Sequence, residues 1–311
     1  QCYTTKQWSR YLSFYQLGYG ARGIGFRDSS QDVLSVLASV PKEAKELIKK
    51  LISMQKREGY AMHQFNPLTM IGSAGDSEEE SGHRYYSDDH LWVILSALSY
   101  IKETGDDAFL KEEIPFYDKE KDGTTPVEKG TVLEHLKRAV EFTHKDRGAH
   151  GLPLLGFADW NDTVNLKGKA ESVFTADLYC KALLEMIEVM DYLGDTVVAD
   201  KYRAYHQEMS DVINKECWDG EWYVRYFEEN GTPLGSHKNQ EGKIFINSQS
   251  WAVIGRVAPL DRARQALDSV NKHLNTKFGL KLSAPGYKEF DWRKGGVTTY
   301  PPGAKENGGI F

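Results

Sequence analysis

Leu178, Ala182, Met186, Val189 and Leu193 recur at the spacing of one helix face, so the stretch predicts an amphipathic helix. Gly194 follows directly and suits a helix end, where a left-handed backbone costs glycine nothing. The same spacing predicts helices over 33–55, 90–104, 131–144, 197–216 and 260–274, separated by stretches rich in Gly, Pro, Asp and Asn. Pro41 lies inside the first window and predicts a break there, because its ring removes a donor and crowds the preceding turn.

Strand signals are few. Residues 222–227 are mostly aromatic or β-branched and are followed by Asn230-Gly231, a favoured tight-turn pair, which predicts a hairpin between helices. Helices alternating with loops, without parallel-strand runs between them, argue for an all-α toroid or bundle over a doubly wound sheet. Residues 70–82, with Gly72, Gly75 and the run Glu78-Glu79-Glu80, predict a mobile loop. No fixed-period repeat and no linker composition interrupt the pattern, so one domain over 1–311 is expected.

Composition narrows the function classes. The chain has 311 residues, of which 40% are hydrophobic, enough for a substantial core. Its net charge of −6 comes from 45 acidic and 39 basic residues with no Lys/Arg block, which argues against a nucleic-acid partner. No uninterrupted apolar run reaches the roughly 18 to 20 residues of a membrane helix, so no membrane partner is expected. Cys2, Cys180 and Cys217 are too far apart in sequence for a disulfide framework or a zinc site, which favours a reducing, cytoplasmic compartment. The 7 Trp and 17 Tyr could fill a core or stack on sugar rings.

Gly18-Tyr19-Gly20-Ala21-Arg22-Gly23 matches a dinucleotide-binding pattern, but no strand–helix–strand context surrounds it. The next stretch, Arg27-Asp28-Ser29-Ser30-Gln31-Asp32, sets a guanidinium, two carboxylates and an amide beside glycines. Such groups suit sugar hydroxyls; Asp28 or Ser29 as a helix cap explains the same residues. Ala158-Asp159-Trp160-Asn161-Asp162 places two carboxylates around an indole. That is suited to protonating a glycosidic oxygen against a sugar face, or to a plain Asx-type turn. Ser87-Asp88-Asp89 precedes an apolar helix, with Ser87 and Asp88 as its cap. His83 and His90 lack metal-ligand spacing and no H-E-x-x-H occurs, so no metal is expected. Residues 298–311 are too rich in Gly and Pro for a helix, yet join Lys305, Glu306 and Asn307 to Tyr300 and Phe311, as a cleft-lining loop would.

Taken in order, five motifs resemble cellobiose phosphorylase and its chitobiose relatives. They are Gly23-x-Gly25-Phe26-Arg27-Asp28-x-x-Gln31-Asp32; Ser87-Asp88-Asp89-x-Leu91-Trp92; Gly151-Leu152-Pro153-Leu154 with Ala158-Asp159-Trp160-Asn161-Asp162; Glu241-Gly242-Lys243-Ile244-Phe245-Ile246-x-Ser248-Gln249; and Tyr300-Pro301-Pro302-Gly303-x-Lys305-Glu306-Asn307. The resemblance covers nearly the whole chain. It implies an (α/α)6 barrel, incomplete here, with short β-hairpins in its loops. It makes Asp162 the general acid, places Arg27, Asp28, Asp32 and Trp160 around the donor glucosyl unit with Arg22 and Asp89 nearby, and sets Lys305 and Glu306 towards the acceptor.

The reaction so implied is inverting phosphorolysis of a cellobiose-like β-glucosyl disaccharide. Inorganic phosphate, a co-substrate in a cofactor-free enzyme, attacks the anomeric carbon and no protein base is required. Diacetylchitobiose, laminaribiose or a β-1,2-glucan are alternative substrates. An inverting hydrolase on the same barrel, needing a second carboxylate roughly 6.5–9.5 Å from the acid, and a non-catalytic sugar-binding fragment are alternative functions. The family pattern further implies a longer parent, a homodimer, with an N-terminal β-sandwich, a C-terminal cap and phosphate ligands after Phe311. The loop after Asp162 is short for a cellobiose phosphorylase.

Overall fold

The computed structural model describes residues 23–79 and 84–310. The chain divides into two compact units, Gln1–Lys145 and Asp146–Phe311.

In the first unit, β1 (Ile24–Gly25) pairs antiparallel with β2 (Gln64–Phe65), which pairs with β3 (Gly72–Ser73). The register sets Ile24 against Phe65 and Gln64 against Ser73. Gly23 has φ +88°, and a Cβ there would run into the Phe65 carbonyl, so glycine is required where the chain enters this sheet. Helix α1 (Phe26–Leu34) follows, capped by Gly25 and not by a side chain. The expected Asp28 or Ser29 cap is thereby corrected: both lie inside the helix. The predicted 33–55 window breaks where expected, with Pro41 as the first residue of α2 (Pro41–Ile52), where a missing N–H costs nothing.

Helix α3 (Asp89–Thr104) is buried along almost its whole first three turns, with α1, α2 and α4 (Val132–Lys145) packed on it. It ends on Gly105 at φ 71°. Strands β4 (Glu113–Pro115) and β5 (Lys129–Thr131) form a hairpin before α4. The expected loop at 70–82 contains β3 and a 3-10 turn, Gly75–Glu79. The Tyr117 hydroxyl bonds both backbone groups of Gly72 there, at 2.7 and 3.2 Å. Residues 80–82 of that window lie outside the described residues.

The second unit is built on α5 (Val173–Tyr192), against which α6 (Thr196–Val212) and α7 (Ile246–Ile254) pack; α8 (Leu260–Leu274) packs on α7. Ser172 caps α5 by accepting from Thr175 N at 3.0 Å, and Asp195 caps α6 by accepting from Val198 N. A π turn, Ile213–Cys217, ends the predicted 197–216 helix in a different winding. The expected hairpin is present: β6 (Glu171–Ser172), β7 (Tyr226–Phe227) and β8 (Pro233–Leu234) form a three-stranded antiparallel sheet, with Tyr226 opposite Leu234. Strand β9 (Ile244–Phe245) pairs with β12 (Ser283–Ala284), and β10 (Asn275–Thr276) with β11 (Gly279–Leu280).

Helix α7 was not legible as a helix because its buried positions include Asn247, Ser248 and Gln249. The Gln249 amide accepts from Tyr223 N and donates to the Tyr223 and Phe245 carbonyls at 2.7–3.0 Å, replacing a strand partner with a side chain. Among the described residues no helix is long and apolar enough to cross a membrane.

Asp177, on α5, is fully buried, and among the described residues neither carboxyl oxygen has a hydrogen-bond partner. Burial pushes its carboxyl well above the ordinary value. A raised folded-state value means the native chain holds a proton that the unfolded chain releases. Stability from this group is therefore complete below about pH 3.9 and is lost as pH rises towards the folded value. Asp177→Asn should melt close to wild type near pH 4 and increasingly above it as pH rises; parallel melting curves across that range would contradict the assignment.

Candidate active site

In the first unit, α1 presents Arg27, Asp28 and Asp32, the two acids four positions apart and so on one helix face. Arg27 is buried, whereas Asp28 and Asp32 are half-buried. The Arg27 guanidinium donates from Nε to Asp88 Oδ2 at 2.7 Å and from its terminal nitrogen to Asp88 Oδ1 at 3.0 Å. Trp92 Nε1 donates to the same carboxylate at 2.9 Å. The expected cap role of Asp88 is therefore corrected: it stands at the helix N-cap, but its oxygens are taken by Arg27 and Trp92 and none caps the backbone.

Asp89 lies beside this pair, Oδ2 sharing a hydrogen bond with His63 Nδ1 at 2.9 Å. His63 stacks on Tyr86, ring centroids 3.5 Å apart. Asp89 Oδ1 faces the guanidinium at 3.9 Å, beyond hydrogen-bond reach. It is a buried acceptor with no hydrogen-bond partner among the described residues. His63 was not singled out in the sequence, where its distance from Asp89 hid the contact. Arg22 and most of the glycine-rich dinucleotide-like pattern lie outside the described residues.

In the second unit, the loop 158–165 carries the two candidate acids into different surroundings. Asp159 is fully buried, while Asp162 is exposed and Trp160 half-buried. Arg225, itself fully buried on the run into β7, donates to Asp159 Oδ2 at 2.5 Å and Oδ1 at 2.7 Å. The Ser172 hydroxyl, the Tyr226 hydroxyl and the Asn161 backbone N–H also donate to Asp159, at 2.6, 3.0 and 2.9 Å. Burial alone pushes this carboxyl up, but the Arg225 guanidinium and the hydrogen bonds outweigh it and hold Asp159 below its ordinary value.

Four residues on, Thr163 donates from its N–H and hydroxyl to Glu306 Oε2 at 3.1 and 2.8 Å, and Val297 N donates to Thr163 O at 2.7 Å. Asn165 Nδ2 donates to the Asp162 carbonyl at 2.8 Å. The structure thus brings Glu306 to the residue next to Asp162. Lys305 is exposed, with φ 44° and its ammonium 4.7 Å from the Tyr300 ring centre. Asn307, sequence neighbour of both, is buried and clamps the loop through Tyr287 N, Tyr287 O and Tyr300 O.

The Gly151-Leu152-Pro153-Leu154 stretch is held by buried Glu171, which accepts from the N–H groups of His150 and Leu152 at 3.0 and 3.2 Å. Arg225, Glu171 and Thr163 were all missed. A lone arginine inside the apolar run 222–227 is the signal that could have found the first, since a buried guanidinium requires a buried acid. Among the described residues no group of three or more His, Cys, Asp or Glu could hold a metal ion.

The catalytic domain of the glycosyl hydrolase 94 superfamily matches the chain over residues 1–311. The chain belongs to that family. It is 33% identical to the N,N'-diacetylchitobiose phosphorylase of Vibrio proteolyticus, over 100% of this chain and 40% of that protein. It is 35% identical to the solabiose phosphorylase of Paenibacillus borealis, over 93% of this chain and 35% of that protein. The chain therefore spans 40% or less of the length of these relatives. Among solved structures it is similar to the cellobiose 2-epimerase of Spirochaeta thermophila, with a TM-score of 0.58 at 14% identity over 99% of this chain and 73% of that one. That likeness shows the fold, an (α/α)6 barrel as the sequence led us to expect.

Removing one partner of the buried Arg27–Asp88 pair leaves a charge poorly answered. Asp89 remains within Coulomb range, so Asp88→Asn should cost about 3 kcal/mol, the lower end for such losses. Urea unfolding of the variant checks this, an unchanged midpoint being the contrary result.

Proposed function

We propose that this chain carries the acid and the sugar-holding side chains of an inverting glycoside phosphorylase acting on a β-linked, cellobiose-like disaccharide. The observation that carries the reading is the unequal fate of the two acids in one loop. Asp159 is consumed by Arg225, Ser172 and Tyr226, whereas Asp162, two residues after an indole in sequence, stands exposed. A proton donor must reach the leaving oxygen, and only the second acid meets that requirement. The phosphorylases among the relatives support the reaction class; their different named substrates leave the sugar pair to this proposal.

In the proposed reaction phosphate forms a bond to the anomeric carbon as the bond from that carbon to the bridging oxygen breaks. Asp162 gives that oxygen its proton, and inversion yields an α-sugar 1-phosphate and a free sugar. Phosphate is a substrate, and the chemistry assigns no role to a metal or an organic cofactor. Arg27, Asp28, Asp32 and Asp89 have the donors and acceptors to bind glucosyl hydroxyls, the buried Asp89 Oδ1, without a hydrogen-bond partner among the described residues, being one such acceptor. Lys305 and Glu306 serve the acceptor side, with Trp160 a stacking face for the donor.

Incubating the parent protein with a panel of β-linked disaccharides and phosphate should release a sugar phosphate from one of them. Phosphate-independent release of free sugar would place the protein among hydrolases instead. Asp162→Asn should lower turnover about 10²–10⁴-fold with binding little changed; a variant near wild type would remove Asp162 from the reaction. Arg27→Ala or Asp28→Ala should weaken donor binding by about 1–3 kcal/mol, read as a raised KM in protein shown by circular dichroism to be folded.

A further inference from the structure

We propose that Arg225 is a positioning residue that fixes where the proposed acid Asp162 points, by locking the Asp159 end of the loop; this rests on the reading of Asp162 above. Four observations carry it. The guanidinium is fully buried and meets Asp159 through two nitrogens at 2.5 and 2.7 Å, a fork geometry that sets orientation as well as distance. The same guanidinium donates to Asn161 Oδ1 at 2.8 Å, so one side chain holds the residues on both sides of Trp160. It lies 4.0 Å from the Tyr226 ring centre and 5.1 Å from that of Phe174, so packing fixes the arginine itself. Asp159 N-terminal to the indole and Thr163 beyond the acid are both tied, the latter to Glu306, so Asp162 sits on a span fixed at both ends.

A buried arginine answering a buried acid could serve stability alone. Three features argue for more. The partner is the loop itself rather than a core helix, Asn161 is bonded as well as Asp159, and Ser172 Oγ joins the same carboxylate to the α5 N-terminus at 2.6 Å. The loop is thereby referenced to the most buried helix of its unit.

The experiment uses the parent protein and a leaving-group series. Arg225→Lys keeps the charge but cannot form the fork. If Arg225 aims the acid, cleavage of the natural disaccharide, whose leaving oxygen needs a proton, should slow by roughly 10–100-fold with KM little changed. A dinitrophenyl β-glucoside, whose leaving group departs without one, should stay within about threefold of wild type. Amide hydrogen exchange at Asn161 to Val164 should quicken. Equal slowing of both donors, or no slowing of either in folded protein, overturns the proposal. Should Arg225→Lys fail to fold, Ser172→Ala, which removes a hydrogen bond from the same carboxylate but no charge, should give the same donor selectivity at smaller size, and equal effects again overturn it. If wild type cleaves the donors with water, phosphorolysis is refuted while the series still tests Arg225. If wild type cleaves neither, unchanged exchange at 161–164 in the lysine variant rejects the positioning role.

Discussion

A guanidinium removed from water must be answered by a carboxylate, and much of the local order in this chain follows from doing so twice. Arg27 is answered by Asp88 and Arg225 by Asp159, each inside one compact unit. The attraction between such partners offsets desolvation only when the remaining hydrogen-bonding capacity is also filled. On the carboxylate side it is in both places: Trp92 adds to Asp88, while Ser172, Tyr226 and the Asn161 N–H add to Asp159. Each pair therefore fixes a neighbour that is not itself in the pair, Asp89 in one case and Asp162 in the other.

The two units use opposite logic for their adjacent acids. In the first, the anchored acid Asp88 and its neighbour Asp89 are consecutive buried residues at a helix start, so the rigid helix transmits order directly. In the second they stand three apart in a loop, where backbone order must be imposed from outside, by Arg225 at one end and Glu306 at the other. That the loop needs two external ties and the helix needs none is what backbone hydrogen bonding would lead one to expect.

Much of the fold was legible in the sequence because most helices are amphipathic. The 260–274 helix has the expected bounds, and Pro41 and Gly194 mark a start and an end as their backbone preferences require. What stayed hidden was polar and distant. Helix α7 buries amides and a hydroxyl, which no apolar period reveals. Asp88 reads locally as a cap; its real partner is 61 positions away. Arg225 reads as a stray charge in an apolar run until a partner 66 positions earlier is known. The candidate acids, the glycine-rich entry and the Lys-Glu-Asn loop were visible as residues, but which of them are buried anchors and which are exposed could be decided only in space.

Ser172 has a single hydroxyl proton, and it is spent on Asp159, so towards the Thr175 N–H the same oxygen can only accept, through one of its two lone pairs. That ordering gives the chain of bonds a fixed direction, from the amino end of α5 through the hydroxyl to the carboxylate. The partial positive charge that a helix gathers at its start is thus relayed onto Asp159. Arg225, Ser172, Tyr226 and the Asn161 N–H each point a hydrogen at this carboxylate, which makes it a terminus for electron density in the loop. A group so surrounded has no vacancy for a proton of its own, and the division of labour between the two acids of the loop is enforced by the count of hydrogens around one of them.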